Sequence, residues 1–158
     1  MIKILYLLLV SSLFSQSDDL FISEYVESGS STDRYLEIFN NIGSSVVLSN
    51  YSIRITRNSG NVYEINLNDN SGDSNNSSGM LDNGQVLIII KSNSGDLLDE
   101  EHLNYPTNGI QFIEWSNLSN MGGDDAVELL NNGIRIDIIG EVGYDPGEGW
   151  IVASDDGD

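Results

Sequence analysis

The side chains in this chain whose types and spacing could do chemistry are its carboxylates. They concentrate in DDAVELLNNGIRIDIIG, Asp124 to Gly140. Within that stretch Asn132-Gly133 lies between two alternating apolar runs, a strong signal for a hairpin with a two-residue type I′ turn. Such a turn pairs Leu130 with Arg135, Leu129 with Ile136, Glu128 with Asp137 and Val127 with Ile138. The face carrying Val127, Leu129, Ile136 and Ile138 is apolar. On the other face Glu128 meets Asp137, and like charges directly opposite destabilise a strand pair. Either the register differs, or water screens both groups, or a cation sits between them. Hard divalent ions such as calcium take carboxylate oxygens, so Glu128 and Asp137 form the candidate metal site. No other cofactor is implied.

The remaining acids carry weaker signals. Glycoside hydrolysis uses two carboxylates about 5–10 Å apart in a cleft, and Glu24 with Glu37, or Asp124 with Asp125, could supply such pairs. With 25 acidic residues in the chain, however, such pairs arise from composition alone. Glu24 and Glu37 read instead as the rim of strands, and Asp124 and Asp125 as turn caps. Asp69 and Asp73 sit in a wholly polar loop, Asn68 to Gly79, without the spacing or the terminal Glu of an EF-hand. Nucleophilic catalysis has little to work with. There is no Cys, and the one His, His102, stands in a polar loop with no GxSxG element. Gly122-Gly123 and the glycines from 140 to 149 precede neither a helix nor a Lys, so they make no phosphate loop. A histidine-based metal enzyme needs more His than this. Trp115, Tyr144 and Trp150 either cap a core or form an aromatic platform for a glycan. No residue is assigned a catalytic role.

The elements that position these groups fit in one domain. The chain has 158 residues, 39% of them hydrophobic, and a net charge of −19 from 25 acids against 6 bases. Duplex DNA carries one negative charge per about 1.7 Å, and proteins bind it by displacing counterions with Lys and Arg. Direct nucleic-acid binding is therefore disfavoured. The absence of Cys excludes disulfide stapling and thiolate zinc sites. At the N-terminus, Lys3 and the apolar run Ile4 to Phe14 have the form of a secretory leader over residues 1–17, the alternative being a buried first strand. The run falls short of the roughly 20 residues that a membrane span requires.

From Asp18 onward the pattern is β. Strand signals fall at Leu20–Val26, Tyr35–Asn40, Val46–Thr56, Val62–Leu67, Val86–Lys91, Ile110–Trp115 and the two arms of the hairpin. A three-residue loop at Asn58-Ser59-Gly60 pairs Ile55 with Tyr63, Ile53 with Ile65 and Tyr51 with Leu67, and sets Arg54 opposite Glu64. A two-residue turn would put Ile55 against Glu64, so the longer loop is preferred. The unbroken run VLIIIK predicts a central strand buried on both faces. A long polar connection follows at Ser92–Gly109, and Leu97–Leu103 could form one helical turn. About eight short strands with regular turn signals predict an all-β, two-sheet antiparallel sandwich, with a closed barrel as the alternative.

The order of motifs resembles the lamin tail domain, in its bacterial secreted branch. The matching pieces are LFISEYVE at Leu20–Glu27, RYLEIFN at Arg34–Asn40, VVLSNYSIRI at Val46–Ile55 and NGQVLIII at Asn83–Ile90. They continue with GGDDAVELLNNGIRIDIIG at Gly122–Gly140 and DPGEGW at Asp145–Trp150. The resemblance implies an immunoglobulin-like β-sandwich over residues 18–158. It also implies a non-catalytic accessory module of a secreted or surface protein that binds a protein or cell-surface partner. The alternative is the N-terminal accessory domain of a secreted nuclease or other hydrolase. Such domains usually continue after the GW motif into a further strand, so the resemblance implies a sandwich lacking its final strand here.

Overall fold

A computed structural model describes residues 18–27, 34–68, 78–91 and 111–150. The expected leader over residues 1–17, Asp69 and Asp73, the connection holding His102, and the segment after Trp150 lie outside the described residues. Among these residues the strands are β1 (Phe21–Glu27), β2 (Arg34–Phe39), β3 (Val46–Val47), β4 (Tyr51–Thr56) and β5 (Val62–Asn66). They continue with β6 (Met80–Leu81), β7 (Val86–Ile90), β8 (Gln111–Glu114), β9 (Ala126–Asn131) and β10 (Ile134–Ile139). One sheet has the order β1-β2-β7-β8 and the other β10-β9-β4-β5, while β3 and β6 form a separate ribbon. The expected all-β, immunoglobulin-like sandwich is the observed architecture.

Alternation along each strand places the core. Leu36 and Ile38 of β2, Leu87 and Ile89 of β7, Ile53 and Ile55 of β4, and Val127 and Leu129 of β9 are all fully buried. Each contributes about 1.5–3 kcal/mol of burial free energy. The β4–β5 hairpin has the expected register, with Ile53 opposite Ile65, Arg54 opposite Glu64 and Ile55 opposite Tyr63. Arg57 N donates to Asn61 O at 2.9 Å, closing a three-residue loop with Gly60 at φ 85°.

Three features differ from the sequence reading. The run Val46–Thr56 is not one strand, because Leu48–Asn50 forms a 3₁₀ turn that drops Leu48 into the core. The β7–β8 pair is parallel, which breaks the all-antiparallel expectation. Parallel neighbours need a crossover of a dozen residues or more, and the long connection between these two strands supplies one. The VLIII run is central, but only its inner row and Ile90 are buried. Val86 and Ile88 point outward and are half-buried.

Candidate interaction site at the seam between the sheets

The β9–β10 hairpin turns as expected, with Asn132 at φ 49° and Gly133 at φ 79°. Leu130 faces Arg135, also as expected. Beyond that pair a β-bulge inserts an extra residue, so Asp137 faces Leu129 and Ile138 faces Glu128. This corrects the expected pairing of Glu128 with Asp137. Leu129 is a core residue, so the bulge turns Asp137 to the inner side of its sheet while Glu128 stays on the outer side. The two carboxylates lie on opposite faces and do not form a common seat for a cation.

Each carboxylate has its own partners. Glu128 is buried, stands directly opposite Arg54 and lies 3.6 Å from Arg135 Nη1. Arg54 in turn holds Glu64 at 2.9 Å. The outer face thus carries an alternating row, Glu64–Arg54–Glu128–Arg135, across four strands. Asp137 Oδ2 accepts a hydrogen bond from Ile22 N of β1 at 2.8 Å, and its Oδ1 accepts one from Ile138 N. A hairpin carboxylate therefore joins the two sheets.

The like-charge contact expected at the hairpin occurs in the other sheet, where Glu24 of β1 faces Glu37 of β2. Each carboxylate receives a hydroxyl: Ser23 donates to Glu37 Oε1 at 2.6 Å and Tyr35 to Glu24 Oε1 at 2.7 Å. Burial, then the hydrogen bond to Glu24 and the two negative charges, push the Tyr35 phenol from its ordinary 10.0 up to about 12. Burial likewise raises Tyr25 and Tyr51, reinforced by Glu27 beside the first and by the Asp19 hydrogen bond to the second. Folding thus makes these phenols hold their protons to higher pH than the unfolded chain does. The stability that these phenols contribute is fully present below pH 10 and is lost as pH rises from there through about 12. Urea midpoints measured across that window test this, and Tyr35→Phe should shallow the decline.

The seam itself lies between β1 and β10, the edge strands of their respective sheets. Polar ties close it at several levels. At one end Asp19 accepts from Tyr51 Oη and Asn131 Nδ2, both at 2.8 Å. In the middle Asp137 takes Ile22 N. At the other end Tyr25 Oη donates to Gly122 O at 3.1 Å and Trp150 Nε1 to Asp125 O at 2.9 Å. Between the Asp137 tie and Trp150 the edges part around a groove of about 590 Å³. It is lined by Ile22–Tyr25 on one side, and by Ile138–Glu141 and Trp150 on the other.

The Gly122–Asp125 corner anchors that end. Asp125, 4% exposed, accepts from Asn58 N at 3.1 Å and Gly122 N at 2.8 Å, with Arg57 Nε at 3.8 Å. Asp124 accepts from Asn58 Nδ2 at 2.9 Å. The expected turn-capping role fits Asp125, which takes the Gly122 amide of its own turn, while Asp124 binds the Asn58 side chain. Nearby Arg34 donates to the carbonyls of Ser119 and Met121 and pairs with Glu27 at 3.3 Å. Trp115 is buried in the core, so the three-ring platform does not form; Tyr144 and Trp150 do meet, with centroids 6.0 Å apart. Among the described residues no three His, Asp or Glu side chains converge on a metal position.

Two structural polar residues escaped the sequence reading. Asn40 is fully buried and satisfied, donating to Ser44 O and Leu81 O and accepting from Ile42 N. Asp19, just ahead of β1, holds Tyr51 and Asn131 of the other sheet. The only available signal was position, since each is a polar residue at the end of an apolar run.

Fold and seam together define an immunoglobulin-like β-sandwich in which Asp19, Asp125 and Asp137 tie distant strands and turns together. The family described as Lamin Tail Domain matches residues 14–143. The chain belongs to that family. No curated protein matches it. The family match stops short of DPGEGW, although Trp150 packs against the matched region through Gly123 and Asp125. Among the described residues no helix is long and apolar enough to cross a membrane.

Proposed function

We propose that this chain is a non-catalytic β-sandwich module of a secreted or surface protein, and that it binds a partner through the groove between β1 and β10. One observation carries the reading. The groove is a concave site flanked by two sheet edges and walled by Trp150, while Asp137 beside it is engaged with two backbone amides and Glu24 accepts the Tyr35 hydroxyl. Groups so engaged hold geometry rather than shuttle protons, since a general acid or base must reach a substrate proton. The leader-like residues 1–17 support export.

The test has two arms. Protein recovered from culture medium should begin near Asp18 by mass spectrometry; retention in cells with residues 1–17 attached would remove the export reading. The exported protein, cross-linked in that medium, should capture a partner identifiable by mass spectrometry. Ser23→Trp, which puts a large side chain at an exposed position of the groove wall, should lose it. Equal capture by both proteins would remove the groove from the function.

A further inference from the structure

We propose that the groove takes an extended peptide of alternating apolar and cationic side chains, added as a strand along the free edge of β1. This rests on the partner-binding reading above and specifies its chemistry.

The backbone argument comes first. A sheet edge exposes unpaired N–H and C=O groups, and proteins blunt such edges with bulges and inward-pointing charges. Here those devices cover only part of the seam. β1 is bulged between Ile22 and Glu24, β10 between Arg135 and Asp137, and Asp137 occupies the amide of Ile22. Past that point, along Ser23–Tyr25, the edge opens onto the groove instead of onto a neighbouring strand. At about 3.3 Å per residue, the open Ser23–Tyr25 stretch accommodates roughly three residues of an added strand.

The side-chain argument follows from alternation. Successive residues of an added strand point to opposite faces, so affinity comes from main-chain hydrogen bonds and specificity from alternate side chains. One face of the groove offers Ile139, Tyr25 and Trp150. The rim carries Glu24 and Glu141, and among the described residues no Lys or Arg lines the groove. With the chain at −19 overall, an apolar–cationic alternation is the complementary pattern. A second copy of this chain would bring the same carboxylates to the rim and be repelled. A glycan would need an open aromatic face, but the Trp150 ring lies so close to Gly140 that a Cβ there would overlap it.

The probe is a labelled synthetic hexapeptide alternating lysine and valine, with its glutamate–valine counterpart and two versions carrying proline at one or the other central position as controls. Binding to the mature chain is read by fluorescence anisotropy. The lysine peptide should bind about tenfold or more tighter than the glutamate peptide, a difference of about 1.4 kcal/mol, and weaken with salt. Glu24→Lys with Glu141→Lys should reverse the preference. Glu141→Lys alone, at an exposed position, keeps the test interpretable if the double variant fails to fold. With proline tried at each of the two central positions in turn, one of the two peptides should lose binding, because one of those positions supplies a ladder donor; equal binding of both would overturn strand addition. Dimerisation that Ser23→Trp abolishes, or displacement of the peptide by a neutral oligosaccharide, would also overturn the proposal. If no peptide binds while Ser23→Trp still loses the captured partner, the peptide chemistry fails and the binding role stands.

Discussion

Asp125→Ala should destabilise the domain by about 3 kcal/mol. The carboxylate is almost wholly buried and accepts from the backbone amides of Asn58 and Gly122, with Arg57 alongside. Removing it strands two amide donors and leaves a partly buried guanidinium without its counter-charge. A buried donor left unsatisfied costs about 1–3 kcal/mol, and breaking a buried ion pair about 3–5. Water entering at the Arg57 side, which is 42% exposed, trims the total. Asp125→Asn keeps one acceptor oxygen and should lose about half as much. Urea unfolding provides the measurement. A loss below about 1 kcal/mol for the alanine variant would show that solvent satisfies the corner once the carboxylate is gone.

Gly140→Ala should cost a similar amount, about 3 kcal/mol, by a different route. Gly140 has φ of 82°, a conformation that costs an L-residue about 1–2 kcal/mol. The new methyl group would also collide with the Trp150 indole, forcing the ring away and breaking its hydrogen bond to Asp125 O. That adds about 1 kcal/mol for the bond and more for lost packing. The spectroscopic signature is specific, because Trp115 is buried in the core and Trp150 is the ring that moves. Tryptophan emission should shift to the red in the folded state, before any unfolding transition. Unchanged emission with unchanged stability would mean that the ring has room to re-seat. The same variant should weaken the lysine–valine peptide, since Trp150 is a wall of the groove.

Local pattern carried some elements and failed on others for physical reasons. The β4–β5 register was legible because a short loop leaves few registers, and only one of them keeps Ile53, Ile55, Tyr63 and Ile65 on one face with Arg54 against Glu64. The β9–β10 turn was equally legible from Asn132-Gly133. Its bulge was not, because nothing within the hairpin calls for it. The bulge brings Asp137 to the amide of Ile22, some 115 residues away in sequence. Asp125 was readable as a turn cap from its place before a strand, but not as an acceptor for Asn58 N. Glu24 and Glu37 were recognised as strand residues, yet their direct opposition depends on a bulge in β1.

By itself, the sequence determined an all-β sandwich of the lamin tail type, a strongly acidic surface, and which rows of side chains face inward. Alternation and turn chemistry are local, and a slip of one residue would expose an entire apolar row. Tertiary structure alone decided that β1 and β10 are the edges that meet, that Asp137 ties them, and that a groove opens beside Trp150. Strand order and edge contacts come from the packing of distant segments against a shared core, which no stretch of the chain encodes locally.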